Sequence, residues 1–219
     1  MALEADGSTT FDNPFGLQVG LDWVDGASPG SNSTDTGLTV VAFGGPSLGD
    51  LDRAGGLDIA APTTGLGRAL DTLLPNDQPG DNQLTGWDGA TGHQLPGYPR
   101  VTGDLAFFVT PAVADVDGDG RDEIVAGHGV QMLDAVGTRR GAGGAGAGAH
   151  VPAGWPKLTG GWVIGTPAVG DWDGNGTAEL AVTRRDGPLL VWSTPTDASQ
   201  PGAWTRYGGG PTNAGTSAG

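Results

Sequence analysis

The sequence contains no cysteine. That excludes a disulfide framework, a thiolate-bound metal and a cysteine nucleophile. Basic residues are scarce: ten Lys and Arg stand against 25 Asp and Glu, for a formal net charge of −15, and Lys157 is the single lysine. So acidic a chain repels nucleic acid and anionic membranes, and neither is expected as a partner. No apolar run approaches the ~20 residues that span a bilayer, so membrane insertion is not expected. Met1–Asp6 lacks the basic-then-apolar order of a secretory leader. H-E-x-x-H does not occur, and His93, His128 and His150 are scattered among loop-like segments. Gly141–Gly146 matches G-x-G-x-x-G in letters only, because it lies in a Gly/Ala-rich run without a strand-to-helix setting. Helical periodicity is not sustained; one helical turn is read near Arg68 to Leu74.

Glycine is what the chain has in excess, 43 residues, and with 16 prolines it exceeds a quarter of the sequence. The apolar residues fall in short patterned runs, which points to many tight turns between strands. Residues 1–37 read as an irregular N-terminal segment or part of a divergent unit. They hold one strand within Phe15–Trp23 and a glycosylation-type triplet at Asn32–Thr34. Three units then follow, over residues 38–96, 97–153 and 154–200, and residues 201–215 open another unit or form a closing strand before a tail at 216–219. Strands are expected at Leu38–Phe43, Leu84–Trp87, Leu105–Val109, Val130–Leu133, Trp162–Ile164 and Leu189–Trp192. Thr64–Gln83 reads as an insertion and Thr138–His150 as a flexible surface loop. A period of about 50 residues with four short strands is the mark of propeller blades. The fold class expected is therefore all-β: blades of four antiparallel strands, about three to three and a half of them, in a partial or open propeller.

Each unit carries an acidic loop. Asp115-Val-Asp-Gly-Asp-Gly-Arg-Asp-Glu123 and Asp171-Trp-Asp-Gly-Asn-Gly-Thr-Ala-Glu179 are close copies, and Asp50-Leu-Asp-Arg-Ala-Gly-Gly-Leu-Asp58 is an eroded third. Pro46, Pro111 and Pro167 each precede the first loop acid by four residues. Oxygen ligands at alternate positions suit a hard cation, and Ca2+ is the usual one. The candidate ligands are Asp115, Asp117, Asp119, Arg121 through its carbonyl, and Glu123. In the next unit they are Asp171, Asp173, Asn175, Thr177 through its carbonyl, and Glu179. An EF-hand needs a glutamate at position 12, where this chain has Ala126 and Val182 in aliphatic runs, so the loop closes a β-hairpin. Asn175 supplies a neutral oxygen, so weaker binding is expected there. Asp50, Asp52 and Asp58 form the weaker candidate, because Ala54 replaces the third acid and Arg53 brings a positive charge.

At these residues the chain resembles the FG-GAP/VCBS repeat family, whose blades also build the integrin α-subunit propeller. The resemblance is carried by TPAVADVDGDGRDEIV at 110–125, TPAVGDWDGNGTAELA at 166–181, Gly97-Tyr98-Pro99 and Gly154-Trp155-Pro156. Trp204–Gly215 is similar to the closing stretch of actinobacterial secreted repeat proteins, and the whole resemblance covers residues 38–215. It implies Ca2+ at the two full loops, at the ligands already named. The chain shows fewer blades than the family's closed propellers. Residues 1–37, a longer precursor, a second copy or an open arc are the ways to account for the difference.

The function expected is a non-catalytic, Ca2+-binding module of a secreted or cell-surface protein, since loops of this type fit Ca2+-rich surroundings. The ion would be structural, and the task adhesion or assembly with a protein partner or with further copies. The alternative is a carbohydrate-binding accessory domain of a secreted hydrolase, with some of the seven tryptophans as stacking platforms. Trp87, Trp155 and Trp192 recur at equivalent places and read as core; Trp162 and Trp204 do not settle either way.

Overall fold

The computed structural model describes residues 17–19, 38–41, 45–65, 82–103, 106, 109–129, 131–139 and 148–215. Among them every regular element is a β-strand, and every pairing is antiparallel. The first sheet runs β1 (Leu17–Val19), β2 (Leu38–Val41), β4 (Asp58–Gly65), β5 (Gln83–Trp87), β6 (Arg100–Val101), with β3 (Ser47–Gly49) also paired to β4. The second sheet joins β7 (Ala112–Ala114), β8 (Glu123–Gly127) and β9 (Met132–Arg139), and both β10 (Gly148–His150) and β11 (Lys157–Leu158) pair with β9. The third contains β12 (Ala168–Gly170), β13 (Thr177–Thr183) and β14 (Leu189–Asp197). The sheets do not close on themselves.

The registers repeat. Leu48 faces Ile59, Val113 faces Ile124 and Val169 faces Leu180 across the first hairpin of each sheet. The rung continues to Trp87, Val136 and Trp192 on the next strand. A one-residue slip would turn each apolar set to the wrong face, so this agreement reflects side-chain packing rather than backbone preference.

Two apolar clusters lie between the sheets. One joins Leu51, Leu84 and Tyr98 to Val113, Ile124 and Val136. The other joins Val116, Val125 and Leu133 to Val169, Leu180 and Val182. The second sheet therefore contributes to a core on each face. This is why β8 is buried throughout and reads as an unbroken apolar run after Glu123, whereas β14 is mostly exposed on alternate residues. Side chains also tie sheet to sheet: the Tyr98 hydroxyl donates to the Val136 carbonyl at 2.9 Å, and Ser47 Oγ donates to the Pro111 carbonyl at 2.5 Å.

The expected strand at Leu84–Trp87 lies in β5. That at Val130–Leu133 begins only at Met132, because Gln131 turns the chain with a φ of 67° and His128 N–H bonds back to Met132 O. It then runs on to Arg139, and Gly148 pairs with Arg139 where a surface loop was expected. Trp162–Ile164 gives a single bridge, Val163 to Arg184, since glycines on both sides interrupt the run. Trp204 exchanges both backbone hydrogen bonds with Val113 at 2.9 Å, and the Thr205 carbonyl accepts from Val169 N–H at 2.8 Å. The C-terminal segment thus lines the open edges of β7 and β12. Trp87 and Trp204 are buried, while Trp155 and Trp192 pack in part against the second cluster. Most of residues 1–37, the turn near Arg68 to Leu74 and residues 140–147 lie outside the described residues, as does most of Leu105–Val109.

Close sheet packing depends on residues without side chains. A methyl group at Gly127 would overlap Val163 Cβ and Cγ1. Gly127→Ala is expected to lower the unfolding free energy by about 1–3 kcal/mol, read from chemical denaturation; an unchanged midpoint would show that the two sheets separate freely.

Candidate metal centres

Each acidic loop connects the two strands of a first hairpin. Its last residue pairs in register with the last residue of the preceding strand: Asp58 with Gly49, Glu123 with Ala114, Glu179 with Gly170. The strand ladder thereby holds the ninth residue beneath the loop, and Asp58, Glu123 and Glu179 are all buried.

The loops share one hydrogen-bond plan. The ninth carboxylate accepts from the N–H of the second residue: Leu51 to Asp58 at 2.9 Å, Val116 to Glu123 at 3.0 Å and Trp172 to Glu179 at 2.8 Å. The first aspartate accepts from the N–H of the sixth residue, Gly55, Gly120 or Gly176, at 3.1, 2.9 and 3.0 Å. These glycines all have positive φ, as do Gly118 and Gly174 at the fourth position. In the eroded loop that fourth position is Arg53 at φ 59°, so the backbone follows the same path where a side chain makes it costlier.

Carboxylate oxygens gather above this frame. Asp50, Asp52 and Asp58 bring ligand atoms within 4.8 Å of one another, as do Asp115, Asp117 and Glu123, and Asp171, Asp173 and Glu179. These three clusters can each hold a metal ion. Asp119 and Asn175, the fifth-position candidates, point oxygens back into the loop, accepting from Arg121 N–H at 2.9 Å and Thr177 N–H at 2.7 Å. Arg121 and Thr177, expected to offer carbonyls, therefore sit at the seventh position with their N–H groups already engaged.

The donor set fits a hard cation, and one buried atom bears on this directly. Glu179 is 5% exposed, and its Oε1 has no hydrogen-bond partner, while Oε2 takes the Trp172 N–H. A buried carboxylate oxygen left bare costs free energy unless a proton or cation meets it. In the central loop the same tension shows as a protonation preference. Burial, followed by Asp117, Asp115 and Asp119, pushes Glu123 up to about 9, and burial with Asp52 pushes Asp58 up to about 6.

Two residues were missed by the sequence reading. His150 Nε2 lies 3.0 Å from Asp117 Oδ2, and Thr196 Oγ1 donates to the Asp115 carbonyl at 2.8 Å. They come from β10 and β14, far along the chain, and no spacing rule within a nine-residue loop could have signalled them. No protein-family model matches the chain, and no curated protein matches it either.

Glu123 has an ordinary value of 4.5 and a folded value of about 9. Its protonated form is thus favoured by folding, and the stability it contributes is full below 4.5 and lost as pH rises towards 9. Asp58 acts the same way between 3.8 and about 6. In the metal-stripped protein the melting temperature is expected to fall steadily from pH 5 to pH 9, by thermal melts in a common buffer set; a rise over that range would contradict the buried carboxylates.

Proposed function

We propose that this chain is a Ca2+-stabilised, non-catalytic binding module of β-propeller type, in which each sheet with its acidic loop is one blade. On this reading it is secreted or displayed on a cell surface. It acts in adhesion or assembly, in keeping with its resemblance to FG-GAP/VCBS repeats. The observation that carries the metal assignment is the bare Oε1 of buried Glu179, set among Asp171 and Asp173. Ca2+ rather than a softer ion follows from ligands that are oxygen throughout. The full loops at Asp115 and Asp171 are the two sites; the loop at Asp50 offers fewer ligands and carries Arg53 beside them.

The role of the ion is structural. It neutralises carboxylates that the strand register forces together, and it holds the hairpin from which the blade begins. No catalytic step is assigned, because the two carboxyls with strongly raised values, Asp58 and Glu123, both belong to the loops. A ligand that binds only the folded state at a hundred times its Kd adds about 2.7 kcal/mol, which for a chain of this size is a rise of roughly 5–10 °C. Thermal melts with Ca2+ and with chelator are expected to differ on that scale, and Glu179→Gln is expected to reduce the difference. Equal melting temperatures in both conditions would overturn the reading.

One feature favours carbohydrate binding as a second reading. A groove of about 400 Å³ beside the central loop is lined by Asp117, Asp119, His150, Trp155, Lys157 and Trp192 among others. Indole walls next to carboxylates and an ammonium match the mixed apolar and hydrogen-bonding surface of a sugar. Screening on a glycan array is expected to give hits that disappear in Trp155→Ala; an array without hits would leave the assembly role alone.

A further inference from the structure

Among the described residues, the third sheet has no counterpart of an edge strand that the other two possess. In the first sheet Leu84 of β5 pairs with Arg100 of β6 and Gln83 with Val101. In the second, Leu133 of β9 pairs with Lys157 of β11 and Met132 with Leu158. Each added strand is a basic residue followed by an apolar one, directly after Gly97-Tyr98-Pro99 or Gly154-Trp155-Pro156. The aromatic residue of each goes with its strand into the space between sheets: Tyr98 is in the first cluster and Trp155 packs against the second. Leu84 and Leu133 each stand three residues before the shared rung at Trp87 and Val136, and from Trp192 the same count gives Leu189 of β14. Among the described residues, nothing pairs with β14 on that side.

The apolar face at this edge is bare as well. Leu51 and Leu84 are 0% and 1% exposed, and their counterparts Val116 and Leu133 are 4% and 0% exposed. The third sheet's counterparts, Trp172 and Leu189, are 53% and 52% exposed, with Val191 at 44% beside them. A contiguous apolar face next to an unpaired strand edge is the arrangement that takes up an added strand.

The geometry points to β14 as the acceptor edge for an extended segment of a partner polypeptide with the order glycine, aromatic, proline, basic, apolar. Its basic residue pairs opposite Leu189, and its aromatic ring covers Leu189 and Val191. Both segments of this order in the chain are already paired within it. The related run Trp204-Thr205-Arg206-Tyr207 is held at β7 and β12 through Trp204 and Thr205. None of these segments is left over for a second copy to offer, so the occupant assigned is a further segment of the same order, tested as a separate peptide. This deepens the assembly role proposed above by naming the partner's chemistry, and it rests on the strand register and not on the ion.

The test uses a fluorescent synthetic peptide carrying residues 152–160, titrated into the intact chain. Saturable binding is expected. It should be lost in Leu189→Asp and Val191→Lys, which alter exposed side chains of β14, and kept in Leu57→Asp, an equally exposed position in the first sheet's acidic loop. Replacing the peptide's tryptophan by alanine should also abolish binding. No saturable binding to the wild-type chain, or binding unchanged in both edge variants, would overturn the assignment. So would self-association by light scattering that Leu189→Asp abolishes, which would give the edge to a second copy. A chain that ignores the peptide but gains stability from Ca2+ would overturn the acceptor edge and leave the metal reading standing.

Discussion

A carboxylate under a hairpin has no water to solvate it, so its oxygens must find donors or a cation. In this chain that constraint recurs in each sheet, at Asp58, Glu123 and Glu179. One oxygen of each is met from within, by the N–H of the loop's second residue. That bond closes the loop, aligns the first hairpin and brings the other acids to the same side. At Glu179 the remaining oxygen, Oε1, is left to a proton or an ion. Removing the ninth carboxylate would free a backbone N–H as well as a ligand, so loop geometry and ion affinity are not separable properties here.

The loops also carry the joints between sheets. Thr138 Oγ1 donates to the Leu51 carbonyl at 2.7 Å, and Thr196 Oγ1 donates to the Asp115 carbonyl at 2.8 Å. In each case a strand of one sheet reaches the acidic loop of the sheet before it. An ion that orders one loop would therefore also order the surface against which the next sheet packs. Repeats that contact only their neighbours gain stability through such interfaces, and the last sheet in the described stack has a face with no such neighbour. The exposure of Trp172 and Leu189 is the consequence of that position, not of a different composition.

Much of the site could be read from residue order. Alternating oxygens, glycines at the fourth and sixth places and an acid at the ninth led to a hairpin loop, and the paired strands and positive-φ glycines have that form. The eroded loop was legible as a relative but not in its conformation. Arg53 argues locally against a left-handed turn, and hydrogen bonds to Asp50, Asp52 and Asp58 close the loop around it. Short strands flanked by glycine were the least legible elements. Trp162–Ile164 has the composition of a strand, but a strand needs a neighbour, and among the described residues this one makes a single bridge, Val163 to Arg184, and one more backbone bond, from Arg185 N–H to the Trp162 carbonyl.

By itself the sequence determined the all-β class, the recurring acidic hairpin, and that the first, third and ninth acids of each loop lie together, because these depend on spacing within a few residues. Tertiary structure decided everything that joins distant parts. It brought His150 to Asp117, 33 residues away, and Thr196 to Asp115, 81 residues away. It turned Trp204 inward to Val113, and left Trp172 and Leu189 outside. The reason is physical: a short loop's path follows from its own dihedrals and hydrogen bonds, whereas burial depends on which sheet lies alongside, and no residue's neighbours in sequence specify that.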